Sequence, residues 1–271
     1  MTGFIAALPM YDWPERRAEV NAEWAAMRDR LRAAGVDAPE ALTRDVDDVH
    51  ELWRRPNLLF SQTCWGPMEL GLADHVTVVG QQNYDGVEGG DGALYSSAIV
   101  MRRTDLMIPL PSVLPDISPS NSEISQSPTM KPPISPLEGE MSGRTEVSGT
   151  RQSATLPLTL LRNQRLAYNN PDSMSGLIGL TRDLGAMGQN LDIFRERVET
   201  GGHRLSICAI AEGRADVAAI DCLSWAQAQK HELAAAELTV VGWTARRNGL
   251  PFITAKTTPP GIVAALRAAL T

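Results

Sequence analysis

The sequence predicts an α/β protein of two lobes with mixed sheets and a ligand cleft between the lobes. Two observations predict this fold class. Short apolar runs alternate with amphipathic segments in both halves of the chain, as they do in sheets covered by helices. The 271 residues also exceed the usual size of one domain, so we expect two structural units.

The first unit begins with an apolar run over residues 4–8, which predicts a buried strand. Residues 14–34 carry apolar side chains every three or four positions, which is the spacing of an amphipathic helix, and Gly35 ends that pattern. Further helices are predicted over residues 47–55 and 66–73, and further strands over residues 58–61, 76–79 and 94–102. The last of these strands is long enough to cross into the second unit.

The second unit repeats the alternation. Residues 165–168 predict a strand, and the small polar residues after it start a predicted helix over residues 173–184. Further helices are predicted over residues 191–200, 203–213, 224–236 and 261–270, and further strands over residues 217–220 and 238–242. We therefore assign residues 1–100 and 238–271 to the first lobe, and residues 161–237 to the second lobe.

Residues 103–160 differ in composition from both lobes. Positions 109–157 hold nine of the 18 prolines together with ten serines, and no aromatic residue lies between Ser96 and Ala167. Such a segment buries too little apolar surface to offset the entropy lost on ordering it. We predict a disordered insertion here.

Charge and composition exclude several classes of protein. A net charge of −7 argues against nucleic-acid binding, which needs a basic face. No apolar run approaches the roughly 18 residues of a membrane span. The cysteines Cys64, Cys208 and Cys222 show no CxxC spacing, so we expect no metal site, no cofactor and no disulfide framework. We expect all three to be buried as small hydrophobic residues.

The first nine residues lack the basic segment that opens a secretory signal. No signal peptide is therefore predicted in this chain, and a cytoplasmic location stays open.

Three junctions at predicted strand ends are rich in small hydrogen-bond donors. They are SQTC at residues 61–64, YSS at residues 95–97 and NPDSMSG at residues 170–176. Backbone N–H groups at helix starts bind anions, and Ser or Thr hydroxyls add further donors. The alternative is ordinary capping, because Ser, Thr and Asp cap helices of every kind. Together the three junctions favour a shared anionic ligand.

Three further side chains are candidates for the same cleft. His203 follows two glycines at a predicted helix start, Asp221 ends a predicted strand, and Tyr11 follows the first strand. An imidazole can donate to an oxyanion, and a carboxylate can receive an ammonium or an acidic O–H. The alternatives are a surface or capping role for His203 and Asp221, and packing on the sheet edge for Tyr11. A hydrolytic triad of Ser173, His203 and Asp221 is a further alternative, although Ser173 lies in no GxSxG turn.

Six segments resemble, in chain order, the phosphate- and phosphonate-type substrate-binding proteins of ABC importers. They are AALPMYD at residues 6–12, LLFSQTCWGP at 58–67, LYSSAIVMR at 94–102, LAYNNPDSMSG at 166–176, TGGHRLSICAIAEGRADVAAIDCLSW at 200–225 and GLPFITA at 249–255. The SMSG motif and the pair GGHR and EGRADVAAID are the most specific. The resemblance covers nearly all of the chain outside the insertion.

The resemblance implies a type II periplasmic-binding-protein-like fold, in which two α/β lobes joined by two crossing strands close on a small oxyanion by hinge motion. The ligand-binding residues that we expect are Tyr11, Thr63, Tyr95, Ser173, Met174, Ser175, His203 and Asp221. The serines and the Met174 backbone are implied to hold the phosphonate oxygens, with Tyr95 and His203 donating from the opposite wall. Asp221 is implied to take a ligand ammonium or the proton of a singly protonated oxyanion.

The function implied is binding of phosphate, phosphite or phosphonate without catalysis. An ABC permease is the implied partner, and the periplasm is the implied location. An enzyme on the same fold and a cytoplasmic ligand-sensing protein are the alternatives, because a fold does not fix a function.

Overall fold

A computed structural model describes residues 3–44, 46–106 and 152–270. The α-helices are α1 (Arg17–Ala33), α2 (Val49–Trp53), α3 (Trp65–Glu69), α4 (Leu158–Leu161), α5 (Gly179–Ala186), α6 (His203–Ala211), α7 (Cys222–His231) and α8 (Pro260–Ala269). The strands are β1 (Ile5–Ala7), β2 (Leu58–Gln62), β3 (Val76–Gln81), β4 (Gly90–Asp91), β5 (Leu94–Tyr95), β6 (Ser97–Arg102), β7 (Arg165–Tyr168), β8 (Glu196–Glu199), β9 (Val217–Asp221), β10 (Leu238–Trp243), β11 (Arg247–Asn248) and β12 (Pro251–Ala255). These elements form two α/β lobes with mixed sheets, as predicted.

The first lobe is built on a four-stranded sheet in the order β1, β2, β12, β3. Strands β1 and β2 run parallel, whereas β12 pairs antiparallel with both β2 and β3. Helices α1 and α8 pack together on this sheet, and α1 buries Trp24 and Leu31 against Phe60 of β2. Strand β12 was not among the predicted strands, because its apolar residues follow a loop without a clear alternation.

The second lobe is built on a five-stranded sheet in the order β10, β6, β9, β7, β8. Strand β6 pairs antiparallel with β10 and β9, and β7 pairs parallel with β8 and β9. The predicted lobe boundary at residue 238 is therefore wrong, because β10 completes the second sheet. The chain returns to the first lobe only after Trp243.

A small three-stranded sheet, in the order β11, β5, β4, lies where the chain crosses between the lobes. Strand β5 leads into β6 through Ser96, and β11 follows β10. The single strand predicted over residues 94–102 is thus two short strands in different sheets. The two crossings, at Ser96 and between Trp243 and Arg247, are the structural basis for a hinge.

The flanks of the predicted insertion belong to the second lobe. Thr155 forms an isolated bridge with Trp243, and Leu156 and Leu161 are buried in the same cluster as Ile99 of β6. Thr104–Leu106 forms a turn of 3-10 helix after β6. The predicted limits of 103 and 160 were therefore too wide, and residues 107–151 lie outside the described residues.

The helix predicted over residues 191–200 is wrong. A short 3-10 helix at Leu191–Ile193 is followed by β8, which pairs parallel with β7 at the edge of the sheet. Its sequence ERVE is mostly exposed and lacks the apolar face of a buried strand. Pairing with β7 therefore decides its conformation, because strand propensity depends strongly on tertiary context.

Candidate functional site

A cavity of about 280 Å³ lies between the lobes, where the loops after β1 and β2 face the loops after β7 and β9. The first lobe contributes Tyr11, His50, Trp53, Cys64 and Pro67, and the second lobe contributes Asn169, Asp172, Ser173, Ser175, His203, Arg204 and Asp221. Five of the eight predicted site residues therefore line one cavity: Tyr11, Ser173, Ser175, His203 and Asp221.

The SMSG motif forms the N-terminal turn of a long helix that points at the cavity. Ser173 precedes a π-helical turn over Met174–Ile178, which continues directly into α5. The Ser173 hydroxyl oxygen accepts a hydrogen bond from the backbone N–H of Gly176 at 3.0 Å. Ser173 is therefore a helix cap, and its own O–H stays available to donate.

Ser175 is joined to His203, the first residue of α6. The Ser175 Oγ lies 2.8 Å from His203 Nε2, and the backbone N–H of Asp221 lies 3.4 Å from the same nitrogen. Because a backbone N–H can only donate, Nε2 is the accepting nitrogen and the Ser175 hydroxyl donates to it. The ring proton of neutral His203 is then on Nδ1, which has no hydrogen-bond partner among the described residues.

The alternative of a hydrolytic triad is wrong in this arrangement. Ser173 bonds Gly176 and not His203, and the Asp221 carboxylate bonds other groups. Burial also lowers the pKa of His203 to about 3, which makes its imidazole a very weak base. The cluster can hold and orient a ligand, but it does not activate a serine.

The Asp221 carboxylate ends β9 and is 2% exposed. One oxygen accepts the backbone N–H of Ser224 at 2.9 Å and caps α7, and the other accepts the Tyr11 hydroxyl at 3.0 Å. Tyr11 in turn lies 3.0 Å from the hydroxyl of Tyr84. Burial raises the pKa of Asp221 to about 6, although these hydrogen bonds oppose the shift. Asp221 thus changes protonation state near neutral pH.

Two of the predicted site residues lie behind the cavity wall. Thr63 and Tyr95 are fully buried and are absent from the cavity lining. Neither the Thr63 Oγ1 nor the Tyr95 hydroxyl has a hydrogen-bond partner among the described residues. The Tyr95 ring stacks on Tyr84, with 5.4 Å between the ring centroids. Their contact with a ligand stays a prediction.

Met174 offers its backbone N–H at the site, and its side chain is buried. Its N–H donates to the Cys64 sulfur at 3.2 Å, and the side chain is 3% exposed. Cys64 was expected to be a buried hydrophobic residue, but it is half-buried and lines the cavity. Its position directly after Thr63 in the SQTC junction was the signal that could have identified it.

Two ion pairs and one histidine–carboxylate contact join the lobes around the cavity. Arg204 bonds Glu15 through both terminal nitrogens at 3.0 Å, His50 Nε2 lies 3.2 Å from Asp172, and Arg182 pairs with Glu69. The Arg204 guanidinium also lies 4.8 Å from the ring centroid of Trp13.

Gly66 of α3 packs against the backbone of Asp172 in the second lobe. A Cβ at this position would lie 1.7 Å from the Asp172 carbonyl oxygen. The structure is therefore a closed arrangement of the two lobes.

A larger groove of about 760 Å³ lies between α1 and α7 on the other side of Tyr11. Of the predicted site residues only Tyr11 lines it. Ser173 and Ser175 of the SMSG turn line the smaller cavity and not this groove, so the smaller cavity is the candidate site.

Two searches of the described residues bear on cofactors and membranes. No group of three or more His, Cys, Asp or Glu side chains in residues 3–44, 46–106 and 152–270 is arranged to hold a metal ion. Within the same ranges, no helix has both the length and the apolar character needed to cross a bilayer.

Several solved structures share this fold. PhnD1 from Prochlorococcus marinus, in complex with methylphosphonate, is 13% identical with a TM-score of 0.63 over 98% of this chain and 83% of that chain. A binding protein component of an ABC phosphonate transporter from Pseudomonas aeruginosa is 12% identical, with a TM-score of 0.56 over 99% and 74% of the two chains. The periplasmic VFT2 domain of BvgS from Bordetella pertussis is 11% identical, with a TM-score of 0.52 over 98% and 86%.

No curated protein sequence gives a significant match to this chain. The structural matches, at such low identity, establish the fold alone. A family model does match the sequence itself, over residues 129–271, which is more than half of the chain. Its description is the periplasmic substrate-binding protein of phosphonate ABC transporters. The chain therefore belongs to the family of periplasmic substrate-binding proteins of phosphonate ABC transporters.

Proposed function

We propose that this protein binds a small phosphonate in the cavity between its lobes and releases it unchanged to an ABC permease. The observation that carries the proposal is the cluster at the start of the Met174–Ile178 turn. There the hydroxyls of Ser173 and Ser175 line the interlobe cavity, Ser175 bonds the imidazole of His203, and the backbone N–H of Met174 donates to the Cys64 sulfur.

The oxyanion is held by dipoles and neutral donors. The π-helical turn and α5 form one continuous helix, so the positive end of its dipole favours a negative charge at Ser173. The guanidinium of Arg204, which lines the cavity, is already paired with Glu15 and Glu232. Binding by preorganised donors suits a ligand that must later be released.

Asp221 selects the protonation state of the ligand. Each carboxylate oxygen has a second lone pair beyond the bonds to Tyr11 and Ser224. When ionised, Asp221 can therefore accept the proton of a hydrogen phosphonate. A fully ionised anion such as sulfate offers no proton, and its charge is repelled by the buried carboxylate.

The role is binding and not turnover. Ser175 donates to an imidazole whose pKa burial lowers to about 3, so no general base of useful strength faces a nucleophile. Two crossings between the lobes and interlobe ion pairs at the rim fit a protein that opens and closes. With family membership, these features favour a periplasmic partner of a permease over an enzyme or a cytoplasmic sensor.

Thermal unfolding against an anion panel tests the proposal. The panel contains methyl-, ethyl- and aminoethylphosphonate, phosphate, phosphite, sulfate and acetate. A ligand at about a hundred times its dissociation constant adds roughly 2.7 kcal/mol to the free energy of unfolding, which is a clear shift in Tm. We expect a shift with at least one phosphonate and none with sulfate or acetate.

Variants separate specific from general anion effects. Ser175→Ala should abolish the shift, whereas Thr181→Ala on the same helix should keep it, because Thr181 bonds only the Leu177 carbonyl. An equal shift in both variants, or no shift with any phosphorus oxyanion in the wild type, would contradict the proposal. Phosphorus NMR of the ligand after long incubation checks that it is recovered unchanged.

A further inference from the structure

A series of hydrogen bonds connects the backbone of the first lobe to the Asp221 carboxylate. The backbone N–H of Leu250 donates to the Tyr84 hydroxyl oxygen at 3.2 Å, and the Tyr84 and Tyr11 hydroxyls lie 3.0 Å apart. The Tyr11 hydroxyl donates to one Asp221 oxygen at 3.0 Å. Tyr84 follows β3 and Leu250 precedes β12 in the first lobe, whereas Asp221 ends β9 in the second. This series, which we call the tyrosine network, therefore crosses between the lobes.

The Leu250 N–H decides the direction of every bond in the tyrosine network. A backbone N–H can only donate, so the Tyr84 oxygen accepts it and the Tyr84 O–H needs an acceptor of its own. In the described part of the chain, that acceptor is the Tyr11 oxygen. The Tyr11 O–H is then left to donate to Asp221. With the carboxylate ionised towards Tyr11, each hydroxyl donates one hydrogen bond and accepts one.

A proton on the Tyr11-facing oxygen of Asp221 would reverse these bonds. Asp221 would donate to Tyr11, Tyr11 would donate to Tyr84, and the Tyr84 hydrogen would have no acceptor among the described residues. Tyr84 is fully buried, so no solvent compensates that loss. Burial also raises the pKa of both tyrosines well above its usual value, so neither gives up its proton. A proton shared between Asp221 and a ligand therefore belongs on the cavity side of the carboxylate.

We propose that Tyr84, which does not line the cavity, is a positioning residue that acts through Tyr11 to fix which lone pairs of Asp221 stay open to the proton of the bound oxyanion. The proposal rests on the proposed function, whose cavity and ligand it shares. The Tyr11 O–H is committed to Asp221 and not to a ligand oxygen. Because Asp221 lies in the other lobe, opening of the lobes breaks the network at this bond.

Tyr84→Phe removes the hydroxyl and keeps the ring, which stacks on Tyr95. The Tyr11 O–H then has no neighbouring donor to fix its direction, and it turns between Asp221 and a ligand oxygen. We expect the ratio of methylphosphonate affinity to sulfate affinity at pH 8 to fall about threefold to tenfold, which is the effect of one hydrogen bond. Tyr11→Phe, which removes the next hydroxyl of the network, should lower the ratio at least as far.

Tyr168→Phe is the matched control. The Tyr168 hydroxyl lies 3.3 Å from a Glu199 oxygen, and Tyr168 does not line the cavity. The ratio of affinities should therefore equal that of the wild type. Competition titrations of methylphosphonate against sulfate measure the ratio in every variant, and the Tm of each variant without ligand shows that it is folded.

A double-mutant cycle tests whether Tyr84 acts through Asp221. In an Asp221→Asn background no carboxylate is left to position, so adding Tyr84→Phe should change the ratio less than about twofold. In a Tyr11→Phe background the link between Tyr84 and Asp221 is already broken, and the same small change is expected. A merely structural role of Tyr84 would change the ratio by the same factor in all three backgrounds.

The pH dependence of the ratio is a second readout. The titratable groups around Asp221 are the hydroxyls of Tyr11, Tyr84 and Tyr95, the Cys222 thiol and the His203 imidazole. Burial keeps all of them neutral between about pH 5 and pH 8, and the charged Arg204 is paired with Glu15 and Glu232 throughout. Asp221 is therefore the group among them that titrates in this range.

The ratio should fall on acidification, because a protonated Asp221 no longer repels sulfate. Loss of the network raises the pKa of Asp221, so the fall should begin about 0.5 pH unit higher in Tyr84→Phe than in the wild type. An unchanged ratio in Tyr84→Phe, an equal effect in the Asp221→Asn background, or a fall at the pH of the wild type would each overturn the proposal. Absence of methylphosphonate binding by the wild type would instead contradict the proposed function, and this inference with it.

Discussion

Backbone N–H groups decide which side-chain atoms of the cavity accept hydrogen bonds and which must donate them. The N–H of Asp221 makes His203 Nε2 an acceptor, so the Ser175 hydroxyl must donate to it. The N–H of Ser224 likewise fixes one oxygen of the Asp221 carboxylate. The donors that remain for a ligand among the described residues are the Ser173 hydroxyl and the Nδ1–H of His203, since the N–H groups of Met174 and Gly176 are already bonded.

The two serines of the SMSG motif should respond differently to removal of the hydroxyl. Ser175→Ala should lower phosphonate affinity by about a hundredfold, because the imidazole of His203 loses the hydroxyl that orients it in the cavity, and should leave stability nearly unchanged. Ser173→Ala should lower the free energy of unfolding by about 1 kcal/mol, because it removes a helix cap. Calorimetric titration and urea denaturation of both variants measure the difference. Equal stability losses in the two would contradict this division of roles.

Asp221→Asn should change selectivity more than affinity. Without the carboxylate, the site loses its acceptor for the ligand proton and its repulsion of fully ionised anions. We expect the ratio of methylphosphonate affinity to sulfate affinity to fall at least about tenfold at pH 8, since a buried charge is removed. Competition titrations measure that ratio. A ratio equal to that of the wild type would show that Asp221 does not face the ligand.

The buried His203 should make the protein sensitive to acid. Its pKa is lowered from 6.5 to about 3, so the folded protein binds fewer protons than the unfolded chain, and stability falls as pH drops from about 6.5 towards 3. Asp221 acts in the opposite sense between about 4 and 6, because its pKa is raised, but its shift is smaller. Urea denaturation from pH 7 to 4 should show a shallower loss of stability in His203→Gln than in the wild type. A steeper loss of stability in His203→Gln than in the wild type would contradict the lowered pKa of His203.

Five cavity residues were predicted from the sequence: three from the SMSG and GGHR motifs, and Asp221 and Tyr11 from their places after predicted strands. Ser173, Ser175, His203 and Asp221 lie at element ends that short-range patterns mark well. Thr63 and Cys64 are adjacent at the end of a strand, and which of the two faces the cavity depends on the register of β2 and on its packing. A single sequence does not reveal that choice.

At the scale of elements, the second sheet is held at the end away from the cavity by Asp216. This carboxylate, just before β9, bonds the backbone N–H and the guanidinium of Arg165 on β7 and also pairs with Arg102 on β6 and Arg195 before β8. One side chain thus joins neighbouring strands. Burial tends to raise the pKa of Asp216, but the bonds to Arg165 outweigh it and lower that pKa to about 2.

Asp216→Ala should lower the free energy of unfolding by about 3 kcal/mol, because three guanidinium groups lose a buried partner. The contribution of the ionised carboxylate is present above pH 4 and is lost as pH falls towards 2. Urea denaturation at pH 7 measures the loss, and phosphonate affinity should not change. A large change in affinity would show that the two ends of the sheet are coupled.

Two predictions about strands of the second lobe were wrong. The polar sequence ERVE was predicted as helix and is the edge strand β8, and β10 was assigned to the wrong lobe. Both errors concern strand partners, which are non-local and leave little trace in a short window of sequence. Strands β2, β7 and β9, which are apolar and bounded by turn residues, were predicted correctly.

At the scale of the molecule, closure of the two lobes brings the backbone of one lobe against the backbone of the other. Gly66 of α3 faces the carbonyl of Asp172, and the pair Arg182 and Glu69 joins α5 to α3 nearby. A side chain at position 66 would keep the lobes apart in this arrangement. Sequence patterns describe each lobe alone, so this contact between them was not predicted.

Gly66→Ala should hold the lobes open and weaken phosphonate binding more than tenfold, because the Cβ would lie 1.7 Å from the Asp172 oxygen. Gly185→Ala is the control, since its Cβ would meet nothing within 4 Å. Small-angle scattering with saturating methylphosphonate should show a larger radius of gyration for Gly66→Ala than for Gly185→Ala. Equal radii of gyration and equal affinities in the two variants would mean that the protein binds methylphosphonate without this closure of the lobes.

Titration calorimetry of the wild-type protein with methylphosphonate tests the central claim most directly. The account predicts saturable heat with one site per chain, and the same titration of Ser175→Ala with little or no heat. Saturable binding that survives Ser175→Ala would place the ligand elsewhere. The absence of saturable heat with methylphosphonate, ethylphosphonate and phosphate alike would contradict the claim that the interlobe cavity is a phosphorus oxyanion site.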